Sequence, residues 1–304
     1  MKIAVTGATG FLGVPLVQLL LQQGHGVMAL VRNPSGPAVR ALSGARIEMW
    51  GGSGALRPGL LHGQEAVIHL AGESIAQRWT AESKARILET RRQGTARIVE
   101  AALEGKTVRA LLSASAVGYY GPQGARALTE KDPPGGDFLA KVCLAWEQAT
   151  APAARGGIRT VLLRTGVVLH PEGGALKQML RPFRLGVGGR LGSGEQYMSW
   201  IHREDWLSLC AHCLGAASLS GPVNLTAPNP VTNRELTSSL GVALHRPALL
   251  PAPAFALKLA LGEMSTMLLE GQRVLPKRAL EMGFRFKFER IENALSALFP
   301  RRAA

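Results

Sequence analysis

The chain predicts an α/β fold of Rossmann type, a doubly wound parallel sheet with a small C-terminal substrate lobe. Three observations lead there. A glycine turn links an apolar run to a helix pattern at the start of the chain, in "KIAVTGATGFLGVPLVQLLLQQG". Strand-like runs then alternate with helical patterns, the signature of parallel βαβ units. With 304 residues, 46% hydrophobic and 18% charged, the chain can bury a sizeable core.

The elements follow in order. Ile3 to Val5 opens the first strand, and the helix after the glycine turn ends near Gly24. "GVMALVRN", "ARIEMW" and "EAVIHLAG" read as strands two to four, and "ESKARILETRRQGTARIVEAALEG" as a long helix. "VRALLSASAVGYYG" is a fifth strand with a polar tail. In "GGDFLAKVCLAWE", Asp137 stands at an N-cap position, and Phe138, Val142, Cys143 and Trp146 share one helical face. "RTVLLRTGVVL" reads as a sixth strand. The expected division is a Rossmann core over residues 1–170 and mainly a C-terminal lobe over residues 171–304, with returns to the core sheet left open. No repeat or low-complexity segment interrupts them.

The net charge of +14 is spread along the chain without a basic block, so a nucleic-acid role has no motif behind it. A small anionic partner suits the charge better. No apolar run reaches the length of a membrane span, "ALLPAPAFALKLALG" coming nearest, and "MKIAVTGATG" has no signal-like region. The expectation is a cytoplasmic protein with a small-molecule substrate and no membrane partner, with room for a homodimer. Cys143, Cys210 and Cys213 make an odd count. Cys210 and Cys213 lie three apart on a helical face, so no metal and no disulfide is expected there.

Strand, glycine turn and helix in this order make a dinucleotide cradle. Gly7 forms the tight turn, Gly10 admits a pyrophosphate, and Gly13 lets the helix pack on the strand. Thr9, Phe11 and Leu12 complete a turn that presents helix amides to phosphate. Val31 and Arg32 end the second strand, where an acidic residue would take an NAD ribose; an arginine suits a ribose phosphate instead. The cofactor is therefore NADP(H), with NAD(H) the lesser choice. Leu70, Ala71, Gly72 and Val168 fall at the carboxyl ends of strands, where ligands of such sheets sit.

"TGATGFLG", "LAG" at 70–72, "SASAVGYYG" and "LRTG" resemble the extended short-chain dehydrogenase/reductase superfamily. "GGDFLAKVCLAWE", "RTGVVLHPEGGALKQMLRPFRLGVGG", "GSGEQYMSWIHREDW", "NLTAPNPVTNRELT" and "LLEGQRVLPKRALEMGF" narrow this to its NAD(P)-binding "epimerase family". The resemblance implies a Rossmann core with a substrate lobe, and an oxidoreductase or epimerase acting on a small, sugar- or nucleotide-like molecule. It also implies a catalytic Ser, matched by Ser115, and a Tyr four residues before a Lys. If Lys141 matches that Lys, the Tyr position is Asp137, which caps a helix and is no phenol. Tyr119 lies just beyond Ser115 as another candidate. Arg91 takes the place of an active-site Asn; a cofactor contact and a surface charge are both open for it. In the lobe, the glycine-rich "GVGGRLGSGEQ" reads as a ligand-side loop, with Arg184, Gln196 and His202 as substrate candidates. Without the Tyr, the alternative is a protein that binds NADP(H) as a sensed or structural ligand.

Overall fold

The computed structural model describes residues 1–51 and 56–300. The chain runs β1 (Lys2–Thr6), α1 (Gly13–Gln22), β2 (Gly26–Val31), β3 (Arg46–Met49), β4 (Ala66–His69), α2 (Ala81–Gly105) and β5 (Ala110–Ala116). It continues through β6 (Gly124–Leu128), α3 (Phe138–Gln148), α4 (Ala151–Arg155), β7 (Arg159–Thr165), β8 (Val167–Leu169) and α5 (Gly174–Arg184). β9 (Tyr197–Met198), β10 (Trp200–His202), α6 (Arg203–Gly215), β11 (Gly221–Leu225), β12 (Val231–Thr232), α7 (Asn233–Leu244), α8 (Ala254–Leu261) and β13 (Gln272–Val274) complete the parts used below.

Seven strands form one parallel sheet in the order β11-β7-β5-β4-β1-β2-β3. Alternation along each strand divides the core in two. Ile3, Val5, Ala66, Ile68, Ala110 and Leu112 face α1 and α6, meeting Leu16, Leu20, Trp206 and Leu209. Ala4, Val67 and Leu111 face the other way, onto Ile98, Val99 and Ala102 of α2. Burial on both faces explains the near-continuous apolar runs, and the predicted doubly wound fold is the one observed.

Two elements differ from the prediction. The sixth apolar run is two strands: β7 lies in the main sheet, while β8 pairs with β10. The break falls at Gly166, where a Cβ would press on the Ser199 carbonyl and on Thr226. The seventh strand, β11, is short and opens with Gly-Pro, so nothing local marked it. It returns from beyond residue 171 to the edge of the core sheet, beside β7. A separate core joins Leu176, Leu180 and Phe183 of α5 to Trp200, Leu236, Leu240 and Phe288. Among the described residues no helix is long and apolar enough to cross a membrane.

Buried hydrogen bonds tie the switch point together. The Thr6 hydroxyl accepts from the amides of Leu70 and Ala71 at 3.1 and 3.2 Å. With both lone pairs used, its proton goes to His69 Nδ1 at 2.8 Å. His69 therefore carries its hydrogen on Nε2 and donates to Thr95 on α2 at 3.1 Å. The ring is fully buried, and desolvation, with Arg91 adding to it, lowers its pKa to about 4. The folded protein thus binds fewer protons than the unfolded chain between pH of about 6.5 and about 4, so His69's contribution is intact above that window and is lost on acidification through it. Calorimetry across this range should show a falling melting temperature, and His69→Gln should flatten the slope by up to about 3 kcal/mol of stability.

Candidate functional site

The turn after β1 is packed to the limit of its backbone. Gly7 has φ +65°, and a Cβ there would lie 2.9 Å from the Leu70 carbonyl carbon. A Cβ at Gly13 would collide with the Gly7 carbonyl oxygen. Helix α1 has no side-chain N-cap and no acid in its first turn. The Phe11 and Leu12 amides have no protein acceptor among the described residues. Bare amides and a positive helix end make an anion cradle, and these residues fit a dinucleotide pyrophosphate. Thr9 and Gly10 are exposed on this turn. The Phe11 ring lies against Gly173 and Gly174, where any Cβ at Gly173 would strike it, so it joins the turn to α5.

Val31 is buried at the end of β2, and Arg32 beyond it is exposed, with no carboxylate paired to it among the described residues. Leu70, Ala71 and Gly72 leave β4 beside the same turn, held by Thr6. Arg91 is no solvated charge. Its guanidinium stacks 4.8 Å from the Trp146 ring centroid, donates to the Ile87 carbonyl, and lies directly under Gly72. Burial lowers its pKa from the ordinary value. Val168 is buried in β8 and pairs with Ile201.

The catalytic candidates do not assemble. Asp137 is an N-cap, accepting from the Ala140 amide at 3.1 Å. Leu139 and Cys143, one helical turn apart on α3, both face Gly118; a Cβ there would lie 3.3 Å from Leu139 and 3.8 Å from the Cys143 sulfur. Lys141 is two residues from each, about 200° around the helix, and is exposed. The pair of positions turned toward the β5 tail is therefore Leu139 and Cys143, and neither carries a phenol or an amine. Burial first, with Glu147 nearby, pushes the Cys143 thiol up to about 12, so it is protonated at neutral pH.

Ser115 is also not placed to act on substrate. It is buried and donates to Glu147 Oε1 at 2.6 Å. Glu147 lies about 12 Å along α3 from Leu139, well below the level of Gly118. It forms a two-pronged ion pair with Arg164 of β7, at 2.8 Å on each prong. Burial disfavours the Arg164 cation, but the Glu147 hydrogen bonds prevail and hold it above its ordinary pKa. Arg164 also donates to the Tyr120 hydroxyl at 3.0 Å, which donates to Asn224 at 2.7 Å. Burial pushes the Tyr120 phenol up to about 12. The Tyr119 ring covers the Arg164 guanidinium, with 3.4 Å between ring centroid and cation, so its face is committed to packing.

Arg184, Gln196 and His202 do not converge either. Arg184 is exposed at the last turn of α5, about 15 Å along the helix from Gly174. Gln196 is buried and donates to the Leu191 and Leu268 carbonyls, at 3.0 and 2.6 Å. His202 caps α6 through Nδ1, packs 4.0 Å from the Phe288 ring centroid, and burial lowers its pKa to about 4. The glycine-rich loop before Gln196 packs on residues 248–252, where a Cβ at Gly189 would strike the Leu250 carbonyl. Cys210 and Cys213 are free, buried thiols on α6, facing the sheet.

Glu147, Arg164 and Asn224 escaped the sequence reading. The available signals were an arginine inside the apolar run "TVLLRTG" and a glutamate four residues after Cys143 on the same helical stripe.

The model of the NAD dependent epimerase/dehydratase family matches residues 3–225. The chain belongs to this family. A domain of unknown function, DUF1731, matches residues 252–298. Among epimerase-family relatives, the "Epimerase family protein SDR39U1 homolog, chloroplastic" of Arabidopsis thaliana is 42% identical, over 98% of this chain and 86% of its own. YfhF of Bacillus subtilis is 40% identical over 99% of each chain. The crystal structure of human epimerase family protein SDR39U1 (isoform 2) with NADPH superposes with a TM-score of 0.87 at 34% identity, covering 98% and 99% of the two chains. A UDP-glucose 4-epimerase from Thermotoga maritima, at 19% identity and a TM-score of 0.77, shares the fold.

The geometry separates two substitutions on α3 of this epimerase-family chain. Glu147→Gln leaves a buried arginine without its carboxylate and should cost about 3–5 kcal/mol in urea unfolding. Lys141→Met, on the outer face, should stay within about 0.5 kcal/mol of the parent and leave dinucleotide affinity unchanged.

Proposed function

We propose that the chain binds NADP(H) at the carboxyl end of its sheet as a sensed or structural ligand, without a Ser-Tyr-Lys proton relay. One observation carries this reading: Leu139 and Cys143 occupy the α3 positions that face the β5 tail, while Ser115 is tied to Glu147. The Phe11 and Leu12 amides would hold the pyrophosphate, with Leu70 to Gly72 and Arg91 beside the adjoining ribose. Arg32 would take a ribose 2′-phosphate: it is exposed, unpaired among the described residues, and followed by Asn33, Pro34 and Ser35 with no acid to receive a 2′-hydroxyl. NADPH in the human relative's structure supports the same choice. When bound, the nicotinamide supplies hydride chemistry; the residues around it here position and shield, and the inward α3 positions Leu139 and Cys143 offer neither a phenol nor an amine to move a proton.

A second reading, an NADP(H)-dependent oxidoreductase or epimerase for a small, sugar- or nucleotide-like molecule, is favoured by the lobe. Helix α5 opens at Gly173 and Gly174 against Phe11 of the cofactor turn, so a second uncapped helix end meets the same cleft. Protein loaded with NADPH and exposed to a small-molecule extract separates the two by absorbance of the reduced nicotinamide. Steady consumption supports an oxidoreductase, conversion of an extract component to its epimer at constant absorbance supports an epimerase, and a stable signal with an unchanged extract supports the binding protein.

Arg32→Ala should weaken NADPH binding by about 1.5–3 kcal/mol, roughly ten- to a hundredfold, with NADH affinity unchanged. Calorimetric titration with both nucleotides checks it, and equal affinity of the parent for the two would remove the role given to Arg32.

A further inference from the structure

Helix α8, the segment that came nearest to a membrane span in the sequence, has no buried residue. Phe255 and Leu259, one turn apart, are 75% and 85% exposed, and Leu249 just before them is 80% exposed. The preceding strand-like stretch is stapled to the glycine-rich loop: the Leu250 amide donates to Gly188, Ala252 to Arg190, and Gly192 to Ala252. That loop begins at Leu185, itself 78% exposed. Two chain segments thus present large apolar side chains from one stapled unit. A lone exposed leucine is ordinary, but several such side chains together mark an interaction surface.

The unpaired charge around them is mainly positive: the acids bordering these segments, Glu195 and Glu263, pair with Arg234 and Lys84, and Glu235 caps α7. Residues 181–194 and 236–262 contain Arg181, Arg184, Arg190, Arg246 and Lys258, and no aspartate or glutamate. Among the described residues none of these five cations has a carboxylate within ion-pair distance. Ala254, Ala256, Leu257 and Leu261 are half-buried, so α8 lies along the surface with Phe255 and Leu259 turned outward. Exposed Phe and Leu tips on segments that also carry Arg and Lys suit the interface of an anionic bilayer, which needs no groove to receive them.

We propose that α8 and the paired loop form a peripheral docking surface for membranes rich in anionic phospholipid. Phe255, Leu259, Leu249 and Leu185 would enter the acyl boundary, and the five cations would lie at the phosphates. The contact is interfacial, in keeping with the absence of a spanning helix among the described residues. It sets aside the expectation from the sequence that the protein has no membrane partner, and it is independent of the reading of the cofactor site.

Co-sedimentation of the full chain with vesicles tests this. Equimolar phosphatidylcholine and phosphatidylglycerol vesicles should bind it, pure phosphatidylcholine vesicles should bind it at least about tenfold more weakly, and high salt should release it. Phe255→Ser with Leu259→Ser should reduce binding at least about tenfold, while circular dichroism and an unchanged melting temperature of the same variant report an intact fold. Arg184→Glu with Lys258→Glu should also abolish the lipid preference. Equal binding to both vesicle types, or binding to neither, overturns the proposal. So does a parent chain that is dimeric in solution and becomes monomeric in the Phe255→Ser, Leu259→Ser variant, because the surface then belongs to a second copy.

Discussion

A buried two-pronged pair, Glu147 with Arg164, is the constraint around which this site is arranged. It joins α3 to β7 and takes the Ser115 hydroxyl from β5. Charges this deeply buried are tolerated only when their remaining donors and acceptors are satisfied. Here the Tyr120 hydroxyl, the Tyr119 ring face and, more distantly, the Glu130 carbonyl complete the arginine's surroundings. The network extends through Tyr120 to Asn224 on β11, so the late edge strand is tied to the early core. Nearby, Glu130 accepts from the Asn224 and Arg278 amides, and burial raises its pKa. Polar groups in this region therefore act as fasteners between elements distant in the chain.

The same economy governs the opposite side of the switch point. Thr6, His69 and Thr95 fasten β1, β4 and α2 beneath the glycine turn, and the Thr6 hydroxyl fixes the path by which Leu70 and Ala71 leave the sheet. The turn is rigid because Gly7 and Gly13 sit at contact distances that no side chain could share. A preorganised turn binds a dinucleotide without a large ordering cost. A rigid turn thus stands on one side of the switch point, and on the other the α3 positions that face the β5 tail carry a leucine and a protonated thiol.

Family membership and binding chemistry diverge at α3. The chain shares its fold with sugar-nucleotide epimerases at low identity and with SDR39U1 proteins at much higher identity. The difference from the expected Tyr-Lys pair is local: Leu139 and Cys143 occupy the stripe of α3 that faces Gly118. In the C-terminal part of the chain, α8 leaves Phe255 and Leu259 exposed among the described residues.

Local signals determined much of this protein in advance. The glycine spacing, the alternation of apolar runs and the Asp137 cap are short-range features, and each was legible because the backbone demands it within a few residues: φ near +65° at Gly7, and a free amide at Ala140. Family motifs could be read for the same reason. What tertiary structure alone decided is which side of α3 meets β5. A shift of two residues along a helix turns a side chain to the opposite face, and it carried Lys141 outward while Leu139 and Cys143 turned in. Tertiary structure likewise buried Ser115, Gln196 and His202, through Glu147 for the serine, the Leu268 carbonyl for the glutamine and the Phe288 ring for the histidine, all remote in sequence. It added β11 at the sheet edge, since parallel pairing leaves no local mark. Long-range pairing of buried polar groups obeys geometry that no spacing within a single element encodes.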